Sequence, residues 1–257
     1  PAPVPAVDQR QAGRCPHAVM KNIGIVCEGP TDFIILQAVI DAITRESNGF
    51  YLLQPEPDLT GQYGNGWKGV LKWCMDHAAI KKQLMDSIQP ALDLLVIQMD
   101  GDVSRKDKPS HCGCDSTVCP HKGDYNPLSC NTTDCPITLP CINHGASVTG
   151  YMDHLKGLIS SKLLDTDATC IVIPCDSLET WVVAAYDSPA NTESIEDPWH
   201  NIIAKRKYYH DIRVRSTQKR ASLFREFAPV VCQNWQQVTR LCQSARDFEQ
   251  SIRAFVQ

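Results

Sequence analysis

The chain has 257 residues, a formal net charge of −4 at pH 7 and 43% apolar residues. This length is enough to bury a full core, and the composition is typical of a globular protein rather than a disordered one. No stretch approaches the roughly 18 uninterrupted apolar residues of a membrane helix, which argues against a membrane-spanning protein. Because the balance of charge is acidic, any surface for nucleic acid has to be local.

The first residues, 1–19, are rich in Pro, Ala and Gln and show no periodicity. We expect them to form a disordered extension, or a sequence added ahead of a natural start at Met20. They lack the basic start and the apolar run of a secretory signal peptide, so we expect a cytoplasmic protein.

Strand-like and helical patterns alternate through residues 20–190. Short apolar runs predict four strands, at 23–27, 50–54, 94–99 and 169–174. Apolar residues at helical spacing predict helices over 30–43, 67–87, 146–164 and 177–186, with Ser177 as the N-cap of the last. The alternation predicts an α/β fold in which a parallel sheet is flanked by helices.

Two other regions interrupt or follow this pattern. Residues 103–145 contain Cys, Pro, Gly and Asn without periodicity, which predicts an insertion after the third strand. Residues 191–257 show helical patterns near 198–209, 216–228, 235–243 and 245–256, which predicts a helical C-terminal region. Its aromatic residues are expected to pack in the interior: Phe224, Phe227, Trp235 and Phe248.

Acidic residues follow three of the four predicted strands. Glu28 ends the first, Asp100 and Asp102 end the third, and Glu179 follows the fourth. Because the carboxyl ends of parallel strands lie along one edge of a sheet, we expect these side chains to meet there. Clustered carboxylates raise one another's pKa unless a cation joins them, and hard oxygen ligands suit Mg²⁺ or Mn²⁺. Such a site is typical of metal-dependent phosphoryl transfer.

Acids near helix N-termini also have a simpler explanation. Asp32 in the first turn of a helix is stabilising whatever its function, and Glu179 has a similar position. Taken singly, each of these two is explained equally well as a helix-terminus acid. Glu28, Asp100 and Asp102 match the strand ends more closely than a chance arrangement would, which favours a functional site.

The motif E-G-P-T-D at residues 28–32 and the motif D-G-D at residues 100–102 each end a predicted strand and together resemble the Toprim domain. The form of the first motif is most similar to the OLD-family nucleases and to small Toprim proteins of bacterial anti-phage defence operons. The resemblance implies a nuclease with a set of Mg²⁺ or Mn²⁺ ligands: Glu28, Asp32, Asp100, Asp102 and Glu179. Glu28 would also be a candidate general base. A catalytic lysine beyond the last acid is implied as well, and the candidates are Lys205, Lys207 and Lys219.

The same resemblance implies a substrate and a partner. The substrate would be DNA or an RNA such as tRNA. No Walker-type phosphate-binding motif occurs in the sequence, so control by ATP would need a separate ATPase partner. Two alternatives stay open: an RNA-processing Toprim ribonuclease, and a non-catalytic Toprim and zinc subunit that docks on an ATPase. A homodimer is also left open.

The predicted insertion is rich in potential zinc ligands. Six of the thirteen cysteines lie within residues 112–141. Together with two histidines they form two sets of three thiolates and one imidazole, which suit tetrahedral Zn²⁺. The candidates are Cys112, Cys114, Cys119 and His121, and then Cys130, Cys135, Cys141 and His144. One structural zinc with ligands from both sets, two separate zincs, and a reduced loop without metal are the alternatives.

A local basic patch lies near the C-terminus. Eight basic residues and one acid fall between positions 205 and 225, in a chain that is acidic as a whole. This patch predicts contacts with phosphates, for which the candidates are Arg206, Arg213, Arg215, Lys219 and Arg220. A solvated helix face would show a similar composition.

The cysteine cluster predicts a measurable zinc content. Protein purified natively without chelator should contain one or two zinc ions per chain by atomic emission, because both ligand sets have the chemistry of closed structural sites. Replacing Cys112 and Cys114 by Ser should lower that content, whereas Cys74→Ser, outside the cluster, should not. A ratio below about 0.5 zinc per wild-type chain would contradict a zinc-binding insertion.

Overall fold

This computed structural model describes residues 20–55, 65–104, 148–205, 207–214 and 218–256. Within these ranges the chain forms four parallel strands, nine helices and a short antiparallel hairpin. In chain order the elements are β1 (Asn22–Val26), α1 (Pro30–Thr44), β2 (Gly49–Gln54), α2 (Trp67–His77), α3 (Lys81–Ser87), β3 (Leu94–Gln98), α4 (Val148–Leu163), β4 (Thr169–Val172), α5 (Glu179–Tyr186), α6 (Pro198–Ala204), β5 (Tyr208–Tyr209), β6 (Ile212–Arg213), α7 (Ala221–Gln233), α8 (Trp235–Leu241) and α9 (Gln243–Val256). A 3₁₀ turn at Gly101–Ser104 follows β3. The predicted α/β architecture with a helical C-terminal region is confirmed.

The strand order of the sheet is β2-β1-β3-β4, and every pair is parallel. The chain leaves β1 through α1 to reach β2 on one side, and it then returns across β1 to reach β3 on the other side. This reversal makes the gap between β1 and β3 the topological switch point of the sheet. In open α/β sheets, ligands bind outside the carboxyl ends of the strands at such a point.

Alternate side chains of the strands face two separate cores. Ile25 of β1 and Val96 of β3 lie in the core that α1, α5 and the C-terminal helices cover. Leu95 and Ile97 of β3 lie in the core that α2 and α4 cover. Because both faces are covered, β3 is buried along its whole length, which explains the apolar run from Leu94 to Ile97.

The C-terminal helices complete the first core and fix the position of α5. As predicted, Phe224, Phe227, Trp235 and Phe248 are buried. Trp181 of α5 stacks on Phe248 with ring centroids 5.7 Å apart and meets Trp235 edge-on at 5.3 Å. Its indole Nε1 donates to the hydroxyl of Ser244 at 3.1 Å. The start of α5 is therefore held by contacts from α8 and α9. Among the helices of the described ranges, none combines the length and the apolar character that a bilayer crossing requires.

The helix expected over residues 67–87 is two helices, because the chain turns between His77 and Lys81. Lys81 is almost fully buried, and its ammonium donates to the carbonyls of Asp165 and Asp167 at 2.9 and 2.7 Å. These two carbonyls, more than 80 residues away in the chain, hold the start of α3. The spacing of apolar residues cannot predict such contacts, because it reflects only local sequence.

Two further sequence predictions are wrong. Ser177 is not the N-cap of α5, which begins at Glu179 after Leu178 and has no side-chain capping bond. The helix predicted over residues 198–209 ends at Ala204 and gives way to the β5–β6 hairpin. His210 adopts the left-handed region with φ of 50°, which allows a tight turn between the two short strands.

Gly101, between the two acids of the D-G-D motif, lies close to the backbone of the segment after β4. The N–H of Gly101 donates to the carbonyl of Pro174 at 3.0 Å, and a Cβ at Gly101 would lie 2.6 Å from the same oxygen. Since the neighbour is backbone and cannot rotate away, Gly101→Ala should lower the free energy of unfolding by about 1–3 kcal/mol. Urea unfolding measures this change.

Gly157 in α4 is the matched control for this prediction. A Cβ at Gly157 would meet no atom within 4 Å. Gly157→Ala should therefore raise the free energy of unfolding by up to about 1 kcal/mol, the usual gain from alanine in a helix. Equal stabilities of the two variants would contradict the close approach at Gly101.

Candidate active site

The ends of β1, β3 and β4 bring the predicted acids to one edge of the sheet. Glu28 follows β1, Asp100 and Asp102 follow β3, and Glu179 begins the helix that comes after β4. Asp32 lies in the first turn of α1. Glu179 is 0% exposed, Asp32 5% and Asp100 9%. Glu28 and Asp102 are half-buried. The five acids thus lie around the β1–β3 switch point.

Hydrogen bonds through Gln98 link Glu28 to Asp100. The N–H of Asp100 donates to Glu28 Oε1 at 2.7 Å, and Gln98 Nε2 donates to Asp100 Oδ1 at 2.7 Å. The N–H of Glu28 donates in turn to Gln98 Oε1 at 3.2 Å. Gln98 is fully buried. Sequence reasoning missed this residue, and its signal is a single polar side chain in the otherwise apolar strand β3.

The backbone after β4 supports the turn that carries Asp102. The N–H of Asp102 donates to the carbonyl of Asp176 at 2.9 Å. Asp176 is itself buried, and its Oδ2 accepts from the N–H of Asp197 at 3.3 Å. Asp176 therefore holds the turns on this edge together.

Lys219 reaches the acids from the C-terminal region. Its Nζ lies 2.7 Å from Glu179 Oε1, and its side chain is 38% exposed although the carboxylate is fully buried. Glu179 Oε2 is buried and accepts no hydrogen bond within the described residues. Of the three candidate lysines, Lys219 makes this contact, whereas Lys205 and Lys207 are exposed at the end of α6 and just before β5.

Burial and mutual repulsion raise the pKa values of three of the carboxyl groups. For Glu28, burial followed by the charge of Asp102 raises the pKa well above its usual range. For Asp100, burial followed by the charge of Glu28 has the same effect on its pKa. Burial and then the charge of Glu179 raise the pKa of Asp32 to about 7. The cluster therefore carries more negative charge than its surroundings compensate.

The carboxylates of the cluster also affect the pKa of Lys219, which they raise. Burial works to lower the pKa of Lys219, but the carboxylates of Glu179 and Asp100 raise it above its usual value. Lys219 is accordingly held as a cation within the cluster. It offsets part of the negative charge, and the raised pKa values of the acids show that the compensation is incomplete.

The donor set suits a hard divalent cation, because it consists of carboxylate oxygens and includes the bare Oε2 of Glu179. Across the described ranges, no three His, Cys, Asp or Glu side chains are arranged to hold a metal ion as they stand. Protein donors engage three of the carboxylates instead: the N–H of Asp100 on Glu28, Gln98 Nε2 on Asp100, and Lys219 on Glu179. A divalent ion bound here would take the place of such donors.

Several predicted site residues fall outside the part of the chain that the structure describes. They are the eight candidate zinc ligands between Cys112 and His144, and the basic residues Arg206 and Arg215. Of the other basic candidates, Arg213 and Arg220 line one cavity of about 150 Å³ at the start of α7. Lys219, next to Arg220 in the chain, pairs with Glu179. The basic patch therefore contacts the acidic cluster through Lys219.

Comparison with known proteins gave no match. No known protein family matches the chain, and neither does any curated protein or solved structure.

The raised pKa of Asp32 predicts how stability depends on pH. Its pKa of about 7 in the folded protein lies above the usual value of 3.8. A carboxyl group shifted in this direction contributes stability at low pH that is lost as the pH rises through the folded-state pKa. Glu28 and Asp100 shift in the same direction. Without added divalent cations, the free energy of unfolding should fall by a few kcal/mol between about pH 5 and pH 8.

Asp32→Asn should flatten this profile, because the amide does not ionise. The matched control is Asp153→Asn, a change at an exposed acid of α4, which should keep the wild-type profile. Urea unfolding at a series of pH values checks both variants. A wild-type stability that rises over this interval would contradict the interpretation, and so would identical profiles for Asp32→Asn and wild type.

Proposed function

We propose that the protein is a Toprim-type, metal-dependent nuclease that hydrolyses phosphodiester bonds in DNA or RNA. The observation that carries this proposal is the meeting of five acids, three of them buried, at the β1–β3 switch point, with a lysine reaching into them. Titratable groups whose pKa values are perturbed by burial and by one another are a mark of functional sites. Phosphoryl transfer is the chemistry that a carboxylate site for Mg²⁺ or Mn²⁺ best supports.

A purely structural role explains Glu179 poorly. An acid at a helix N-terminus is normally stabilised by hydrogen bonds from backbone N–H groups. Glu179 is 0% exposed, yet its Oε2 accepts no such bond from the described residues. Burial of an incompletely satisfied carboxylate costs several kcal/mol. That cost is understandable if a bound cation completes the surroundings of the carboxylate.

The proposal assigns a role to each acid. Glu28, Asp100 and Asp102 would hold a divalent ion, and Asp32 and Glu179 would complete the set of ligands. Such an ion, when bound, activates a water molecule and stabilises the leaving oxygen. Glu28 is in addition the candidate base for the proton of that water.

The proposal selects Lys219 among the three candidate lysines. Its ammonium lies 2.7 Å from Glu179 Oε1, whereas among the described residues no ion pair joins Lys205 or Lys207 to these acids. A cation held close to the reacting phosphate can stabilise the charge that develops in the transition state. Arg213 and Arg220, which line a common cavity at the start of α7, would contact phosphates of the nucleic acid beyond the cleaved bond.

The biological setting rests on the resemblance to small Toprim proteins of defence operons. By that resemblance, this chain would be the nuclease effector of an anti-phage system and would be controlled by a separate ATPase. Residues 103–145 would form a zinc-binding insertion with a structural role. The rival proposal, a non-catalytic subunit that docks on the ATPase, predicts no cleavage with any metal, alone or with that partner.

Incubation with plasmid DNA and total tRNA, in Mg²⁺ and in Mn²⁺, tests the nuclease proposal. Glu28→Gln and Asp100→Asn should each lower cleavage by about a hundredfold or more, because the amides keep the hydrogen-bond acceptors but lose the charge that binds metal. Asp153→Asn, at an exposed acid of α4, should cleave like wild type. Full activity in both site variants would refute the assignment of these acids, and an inactive wild type would favour the non-catalytic subunit.

A further inference from the structure

The β5–β6 hairpin turns one face to the core and the other to solvent. Tyr208 lies opposite Arg213 in the register of the two strands, and Tyr209 lies opposite Ile212. Because side chains alternate along a strand, each opposed pair shares one face of the hairpin. Tyr209 is fully buried, whereas Tyr208 is 52% exposed and Arg213 is exposed as well. The outer face of the hairpin therefore displays an aromatic ring beside a guanidinium group.

Contacts with the end of α5 and with α7 hold the hairpin in place. The hydroxyl of Tyr209 donates to Asp187 Oδ2 at 3.0 Å, and Nε2 of His210, in the turn, lies 2.8 Å from Asp187 Oδ1. The Tyr209 ring also packs against Tyr186 and Phe227, with ring centroids 5.2 and 6.0 Å away. Because the inner face is anchored, the outer face is ordered before any ligand arrives, which lowers the entropic cost of binding.

The outer face of the hairpin adjoins the basic residues beside the acidic cluster. Arg213 and Arg220 line the same cavity of about 150 Å³, whose lining includes one acid, Glu226, so that its net charge is positive. Lys219, the neighbour of Arg220 in the chain, contacts Glu179 Oε1 at 2.7 Å. Positive charge therefore extends from the hairpin to the candidate active site. A nucleic acid strand whose phosphates follow this charge would pass from the acids to the exposed ring of the hairpin.

We propose that Tyr208 and Arg213 form a stacking platform for an unpaired base of the nucleic acid. The inference rests on the proposed function, because the platform serves the strand whose phosphodiester bond the acidic cluster would cleave. It adds the class of substrate, which is a single strand or a duplex with unpaired nucleotides next to the cleaved bond. DNA and RNA share this chemistry, since every base has a π-face that stacks on an aromatic ring.

The platform selects unpaired nucleotides for a physical reason. Within a duplex, both faces of a base are covered by its neighbours, so a protein ring stacks on it only after the base has been pulled out of the helix at a cost. An unpaired base avoids most of that cost. Arg213, directly opposite Tyr208, holds a neighbouring phosphate, a contact that single strands and duplexes both offer. Tyr208 thus provides the selection, and Arg213 adds affinity for either form.

Binding of labelled oligonucleotides in EDTA, followed by fluorescence anisotropy, tests the platform without cleavage. At one salt concentration, wild type should bind a single strand more tightly than a blunt duplex of the same length. Tyr208→Ala should weaken binding of the single strand by about tenfold, a usual loss for one stacking partner, and should leave binding of the duplex unchanged. An unchanged affinity of Tyr208→Ala for the single strand would overturn the inference.

Further substitutions at the same position separate stacking from apolar contact. Tyr208→Phe keeps the flat ring and should bind single strands like wild type, whereas Tyr208→Leu should bind them as weakly as Tyr208→Ala. Ile80→Ala removes an apolar side chain of similar exposure, 46%, outside the hairpin and should bind like wild type. Equal single-strand affinities of Tyr208→Phe and Tyr208→Leu would overturn the assignment of stacking.

Arg213→Gln tests the second member of the platform. It should weaken binding of single strands and duplexes alike, and it should lower the slope of log K against log salt by about one phosphate contact. A loss confined to single strands, with an unchanged salt slope, would contradict the phosphate contact of Arg213.

Photocrosslinking of the wild-type protein provides a test that needs no variant. A single-stranded oligonucleotide that carries 5-iodouracil should crosslink to Tyr208 on irradiation, because the excited base reacts with an aromatic ring stacked on it. Mass spectrometry of the digested complex identifies the crosslinked residue. Crosslinks formed only outside the β5–β6 hairpin would overturn the inference.

The outcomes separate this inference from the proposed function. If wild type cleaves nucleic acid but Tyr208→Ala keeps full affinity for single strands, the inference fails alone. If the variants at Tyr208 behave as expected but wild type cleaves nothing in Mg²⁺ or Mn²⁺, the nuclease proposal fails and the platform stands as a binding site. If wild type binds no oligonucleotide, in EDTA or in Mn²⁺, both proposals fail.

Discussion

Burial of several carboxyl groups at the carboxyl edge of one parallel sheet is the constraint on which the rest of this structure depends. Each charge makes the ionisation of the others more costly, so the pKa values of Glu28, Asp32 and Asp100 are raised together. The protein offsets this cost with local donors. Gln98 and the backbone serve Asp100 and Glu28, and Lys219 serves Glu179. These donors are too few to satisfy the cluster fully, which leaves it suited to cations.

Packing on both faces of the sheet positions these acids next to one another. The two cores cover both faces of the sheet, and the strand ends are thereby fixed relative to one another. Gly101 allows the chain after β4 to approach the D-G-D turn closely. Trp181, packed between aromatic residues of α8 and α9, holds the start of α5 and with it Glu179. The C-terminal helices are accordingly part of the site, because they position one acid and the segment before α7 supplies the lysine.

The charge balance of the acidic cluster depends on one basic residue of the C-terminal region. Lys219 lies between an acidic cluster, which it pairs with, and a basic surface, to which its neighbour Arg220 contributes. Lys219 therefore connects two regions of opposite charge.

The sequence by itself determined the strands, their connection by helices and the placement of Glu28, Asp100 and Asp102 at strand ends, because apolar periodicity and motif position are local properties of the chain. It did not show that Gln98 ties two of these acids together, and it could not choose Lys219 among three lysines. It also predicted one helix over residues 67–87 where the structure has two, the second beginning at Lys81 with its buried contacts to the segment before β4. Each of these features depends on partners far away in the chain, and only tertiary packing decides which distant residues meet.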